Sequence, residues 1–176
     1  LEAAKAVEEK IEAIGEVTLA SKSAIEEAEA AYQALTADQK QLVTNTDVLA
    51  AARKSYNDLA AAKAVEDQIA AIGKVTLTSK SAIEAAESAY AALTAEQKLL
   101  VTNADVLAAA RKSYNDLAAA KAVEDQIAAI GKVTLTSKSA IEKAEAAYEA
   151  LTEEQKALVS NADLIAAAKT AYENLQ

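Results

Sequence analysis

Asp47–Gly73 reads DVLAAARKSYNDLAAAKAVEDQIAAIG and returns unchanged as Asp105–Gly131. An acidic N-cap candidate opens the stretch, a glycine closes it, and neither Pro nor Gly interrupts it. Its interior is dominated by Ala, Leu, Lys, Arg, Glu and Gln, the strongest helix formers. The stretch predicts one unbroken helix over residues 48–72, about 25 residues and roughly 37 Å at 1.5 Å per residue. Leu49, Ala52, Tyr56 and Leu59 recur at threes and fours, and Val65, Ile69 and Ile72 do so again in a different phase. From Leu59 to Ile69 the apolar face turns by roughly 80°, at 100° per residue. A helix serving one core keeps its phase, so this one is expected to serve two.

Working outward, the same residues recur at a fixed interval. Gly15, Gly73 and Gly131 are spaced by 58 residues, as are Tyr32, Tyr90 and Tyr148, and Tyr56, Tyr114 and Tyr172. Leu1, Leu59 and Leu117 open three tandem copies, which sets the expected domains at 1–58, 59–116 and 117–176.

In the middle copy a first helix runs to Ile72, with Gly73 at its left-handed C′ position. Val75 and Leu77, on an extended link, are expected to plug the end of a bundle. Ser81 and Glu84 have capping-box spacing for a second helix whose stripe is Ile83, Ala86, Tyr90 and Leu93. Thr94 and Gln97 form a second box, opening a short helix over 95–101 that buries Leu100 and Val101. Thr102-Asn103-Ala104-Asp105 punctuates before the next long helix. The expected fold is all-α: tandem three-helix bundles, each with a short extra helix, joined by continuous long helices into an elongated rod. Up-down-up order places entry and exit at opposite ends, so the rod should measure roughly 75–110 Å, scaled from the connector.

Composition narrows function by exclusion. The 176 residues carry a net charge of −9 and contain no Pro, Cys, Met, Trp, Phe or His. A chain without proline suits an all-helical protein, since loops usually recruit it. Without His and Cys the usual transition-metal ligands are missing, and there is no thiolate nucleophile or disulfide. Acidic balance argues against nucleic-acid phosphates and anionic membrane surfaces, and no apolar run approaches a membrane span. Ser, Thr and Asn have no histidine to activate them, and no Gly-rich phosphate loop exists. No catalytic, cofactor-binding or metal-binding residue is assigned, and no enzymatic activity or small-molecule substrate is expected.

Several residues admit two readings. The six tyrosines lie on apolar stripes, which favours buried rings with hydroxyls at the surface over sugar-stacking platforms. Glu8, Glu9, Glu12, Glu153 and Glu154 lack a calcium-loop pattern and read as a solvated face. Lys40, Lys98 and Lys156 read as surface ion-pair partners on the short helix. Leu99, replaced by Gln41 and Ala157 in the outer copies, reads as a tolerated exposed leucine rather than a contact made only by an inner copy.

The run Ile72–Asn103, IGKVTLTSKSAIEAAESAYAALTAEQKLLVTN, resembles tandem helical repeats of large wall-anchored surface proteins of Gram-positive bacteria. The likeness extends over all three copies and is carried by V-T-L, A-Y-x-A-L-T-x-x-Q-K and L-V-x-N. In outline the architecture is also similar to the spectrin-like repeats of giant bacterial adhesins. The resemblance implies a non-catalytic spacer or stalk at the cell surface, holding an adhesive or enzymatic domain away from the wall. The partners it implies are neighbouring repeats of a monomeric chain. The chain starts partway through its own pattern, which is expected of an excerpt from a longer, extracellular protein. Two alternatives stand beside it. One is a repeated module recognising a host protein, as protein A domains do, although the likeness to those is of size only. The other is a consensus-designed repeat protein.

Overall fold

A computed structural model describes residues 1–176 and contains only helices and their connections. Ten α-helices follow in order: α1 (Glu2–Glu12), α2 (Lys22–Gln33), α3 (Ala37–Lys40), α4 (Thr46–Ile72), α5 (Lys80–Ala92), α6 (Ala95–Leu100), α7 (Ala104–Ala129), α8 (Lys138–Glu149), α9 (Glu153–Lys156) and α10 (Asp163–Glu173). A 3₁₀ turn at Leu19–Ser21 precedes α2. No helix is long and apolar enough to cross a membrane.

Compactness divides the chain into two units, Leu1–Ala70 with Ala86–Ala104, and Ala71–Ala85 with Asp105–Gln176. In the first, α1 contributes Ala4, Val7 and Ile11 to a core that Ile14, Ile25, Ala28, Val43, Leu49 and Ala52 complete. The threes and fours along α1 put these side chains on one face, and the charged residues take the other. In the second, Ala120, Val123 and Ile127 of α7 meet Ile141 and Ala144 of α8, Val159, and Ile165 and Ala168 of α10. Ala28, Ala86 and Ala144 are fully buried, where a larger residue would hold the neighbouring helix backbone away.

The long helices form as the opening stretch requires. α4 has 27 residues and α7 has 26, each without a break. Leu49 and Ala52 of α4 belong to the first core, and Ala62, Val65 and Ile69 are buried further along. The second stripe therefore begins at Ala62, while Ile72 is only half-buried. Between the stripes the four successive residues Asp58–Ala61 are all half-buried, as are Asp116–Ala119 in α7. Four residues span more than a full turn, so the helix is covered on every side there rather than along one stripe. α4 also starts earlier than expected: Asp47 lies in its first turn, and the carbonyl of Asn45 accepts the first helical N–H bonds from Val48 and Leu49.

The glycines behave as their positions demand. Gly15, Gly73 and Gly131 have φ of +59°, +58° and +57°, and no other residue has positive φ. Each ends its helix in the left-handed conformation, whose backbone strain an L residue would carry even though the space around an added Cβ is open.

Three details depart from expectation. Leu100 is 39% exposed and Leu77 42%, so neither plugs a core; Val101, in extended conformation after α6, takes the buried place. Leu99, by contrast, is 86% exposed, in line with its reading as a tolerated surface leucine. The box that opens the second helix is not Ser81 with Glu84. Thr76 N–H donates to Ser79 Oγ at 3.0 Å, and Thr134 N–H to Ser137 Oγ at 3.0 Å. At Thr18 the box is reciprocal, with Ala20 N–H donating to Thr18 Oγ1 at 3.2 Å and Thr18 N–H to Ser21 Oγ at 2.9 Å. The reason is backbone geometry. Thr18 is extended and precedes the first helical turn, whereas Ser81 already lies inside helix α5.

Candidate functional site

The polar groups held in fixed geometry concentrate at two recurring places, and both serve the entry or boundary of a long helix. The first pins the connection into α4. Thr44 N–H and Oγ1–H both donate to Glu8 Oε1, at 2.8 and 2.6 Å, and Asn45 Nδ2 donates to the Glu8 carbonyl at 3.2 Å. Glu66 receives Thr102 at 2.8 and 2.5 Å and its carbonyl receives Asn103 at 3.1 Å. Glu124 receives Ser160 at 2.8 and 2.5 Å, with Asn161 at 3.1 Å on its carbonyl. Two donors from one residue grip one carboxylate, and the asparagine grips the helix carrying it. The hydroxyl and N–H donors hold the Glu8, Glu66 and Glu124 carboxyls below their ordinary range, because they stabilise the ionised form. Glu8 was expected on a free, solvated face. Its recurrence at Glu66 and Glu124, against Asp67 and Asp125 where the first copy has Glu9, was the sequence signal for a fixed partner.

The second place is the short corner helix of each copy, α3, α6 and α9. Thr36/Gln39, Thr94/Gln97 and Thr152/Gln155 form reciprocal capping boxes, as their spacing predicts. Two of these glutamines reach further. Gln97 Nε2 donates to Asp58 Oδ1 of α4 at 2.8 Å, and Gln155 Nε2 to Asp116 Oδ1 of α7 at 2.8 Å. Lys54 Nζ and Lys112 Nζ donate to the other oxygens of the same aspartates, at 2.7 and 2.8 Å. The lysine first, then the glutamine, keeps each aspartate's pKa low. Asp58 and Asp116 open the half-buried stretch of each long helix, one turn after the exposed Lys54 and Lys112.

The tyrosines are half-buried, with Tyr32 and Tyr56 packed on one core and Tyr148 and Tyr172 on the other. Lys40, Lys98 and Lys156 sit over Tyr32, Tyr90 and Tyr148 at 5.6, 5.7 and 5.8 Å from the ring centres. Pairing with acidic residues, expected for all three lysines, is seen at Lys156, which also meets Glu149 and Glu153. Arg53 makes a two-pronged bond to Glu29, at 2.7 and 2.5 Å, across the gap between α2 and α4. In the third copy Lys169 replaces it with a single 2.5 Å bond to Glu145. Surface grooves run beside these pairs, one lined by Glu29, Tyr32, Leu49 and Arg53, the other by Glu145, Tyr148, Ile165 and Lys169.

Chemically these groups hold one another in place. Glu29, Asp58, Glu66, Asp116 and Glu124 are all shifted toward the ionised form, and Lys54, Lys63, Lys112 and Lys169 toward the protonated form. Ion pairing and hydrogen bonding produce shifts in this direction; a general acid working near neutral pH needs a carboxyl shifted upward. No group of three or more acidic side chains converges to hold a metal ion. In comparisons with known proteins, no family model, curated protein or solved structure matches the chain.

Proposed function

We propose that this chain is a non-catalytic spacer, built of three tandem three-helix bundles that share their long helices and so follow one another as an elongated rod. The reading extends to place: the stalk of a bacterial wall-anchored surface protein, outside the cell, carrying an adhesive or enzymatic domain at a distance. Its partners are its own neighbouring copies, and it works as a monomer.

The observation that carries the reading is the pair α4 and α7. Each passes a copy boundary as uninterrupted helix, and each is covered all round at that boundary rather than left as a bare linker. A flexible tether would place Gly, Ser or Pro there. Here the boundary residues are Asp58, Leu59, Ala60 and Ala61, and their counterparts Asp116–Ala119 are identical in type. The Glu8, Glu66 and Glu124 clasps and the corner-helix boxes also favour rigidity over recognition, since their carboxylates, hydroxyls and amide nitrogens bond within the chain, although the Asn45, Asn103 and Asn161 Oδ1 atoms are buried without a partner.

The test is retrieval with the immobilised chain from serum and from cell extract. A spacer recovers no partner in stoichiometric amount. Recovery of one host protein at a fixed ratio to the number of copies would overturn the reading in favour of a ligand-binding array.

A further inference from the structure

All three corner-helix boxes use glutamine at their third position, although glutamate closes a capping box equally well. The Gln97 amide does two jobs at once. Its Oε1 accepts from Thr94 N–H at 3.0 Å, which fixes the amide orientation and leaves Nε2 facing Asp58 Oδ1 at 2.8 Å. Gln155 does the same with Thr152 at 3.1 Å and Asp116 at 2.8 Å. An ionised aspartate accepts only, so a donor is required on the facing side.

We infer that Gln97 and Gln155 are positioning residues that couple one copy to the next, each capping its own corner helix with oxygen while holding the shared long helix with nitrogen. The inference rests on the tandem reading and names the contact through which neighbours communicate. Glutamate at position 97 would keep the cap and lose the coupling, because it would set a second carboxylate against Asp58. The charged groups around the position are Asp58 and Lys54 on α4 and Glu96 beside it on α6. Lys98 is turned away, with its Nζ donating to the Ala91 carbonyl and lying over the Tyr90 ring.

The experiment is urea unfolding of the full chain as parent, Gln97→Glu, and the exchanged pair Asp58→Asn with Gln97→Glu, each at pH 7 and at about pH 4. At pH 7 Gln97→Glu should lower the folding equilibrium on the order of tenfold, from the lost hydrogen bond and the new repulsion. Toward pH 4 the deficit relative to parent should shrink, because the crowded carboxyl takes up a proton and donates to Asp58 again. The exchanged pair should recover most of the loss at pH 7, with the amide introduced on α4 now donating to the new carboxylate. Should the single variant fail to fold at pH 7, recovery by the exchange alone still supports the coupling. A deficit of Gln97→Glu that is absent, or that neither shrinks with acid nor recovers on exchange, would overturn it. Scattering dimensions of the parent test the spacer separately, so one can fail while the other stands.

Discussion

Truncating Ile69 to alanine tests the claim that α4 presents a second buried stripe after its copy boundary. Ile69 is 1% exposed, so its side chain is removed from water almost completely. The change deletes three carbons, which costs about 2.4 kcal/mol in transfer at ~0.8 kcal/mol per carbon. A residual cavity adds to this, since the surrounding helices close it only in part, and the sum is about 3–4 kcal/mol. For a chain of this size that lowers the thermal midpoint by roughly 6–16 °C. Leu99→Ala removes the same number of carbons from a side chain that is 86% exposed in the same copy, and should change stability by less than ~0.5 kcal/mol. Urea unfolding followed by far-ultraviolet circular dichroism reads both on one scale. A loss below about 1 kcal/mol for Ile69→Ala, or one no larger than that of Leu99→Ala, would refute the reasoning.

Gly73→Ala should cost roughly 1–2 kcal/mol, all of it from backbone strain, because φ is +58° and an added Cβ meets nothing within 4 Å. A denaturation midpoint equal to that of the parent would show that the helix end relaxes freely. Glu66→Gln should flatten the acid limb of the stability profile. The hydroxyl and N–H of Thr102 hold the Glu66 carboxyl below its ordinary value near 4.5, so the unfolded chain binds the proton more readily. The contribution is therefore complete above about pH 4.5 and is lost as pH falls through the lowered folded value. An acid limb of unchanged steepness in the variant would argue against the clasp. Ala61→Pro removes a helical hydrogen bond within the all-round cover of α4 and should cost ~3 kcal/mol or more; a loss under ~1 kcal/mol would mean that the boundary is not held as helix.

Much of the helical order could be read from residues alone, because its signals are local. An uninterrupted run of helix formers gave α4 and α7, and a glycine past the end gave the left-handed helix ends at Gly15, Gly73 and Gly131. T-x-x-Q gave the corner boxes. Signals that depend on which face meets which neighbour were harder to read. Ala62 is as buried as Val65 in the second stripe, yet alanine is so frequent in this chain that its periodicity carries little information. Leu77 and Leu100 are large and apolar but occupy a link and a helix end that face water. Ser81 and Glu84 matched a box by spacing, while the threonine five residues before Ser81 set the true start. The Glu8, Glu66 and Glu124 clasps join residues 36 apart, and no local pattern reports such a partner. Only recurrence of the same acid in every copy pointed to them. The same holds for Gln97 and Gln155, whose second partner lies on another helix.

The radius of gyration in solution, from small-angle scattering of the unmodified chain, tests the spacer most directly. A rod of about 75–110 Å has a radius of gyration of roughly 22–32 Å, as length divided by √12, whereas a compact chain of this length has about 16 Å. The account predicts a value in the upper range, independent of protein concentration. A value near 16 Å would mean that the chain folds back on itself at α4 or α7, and would contradict it.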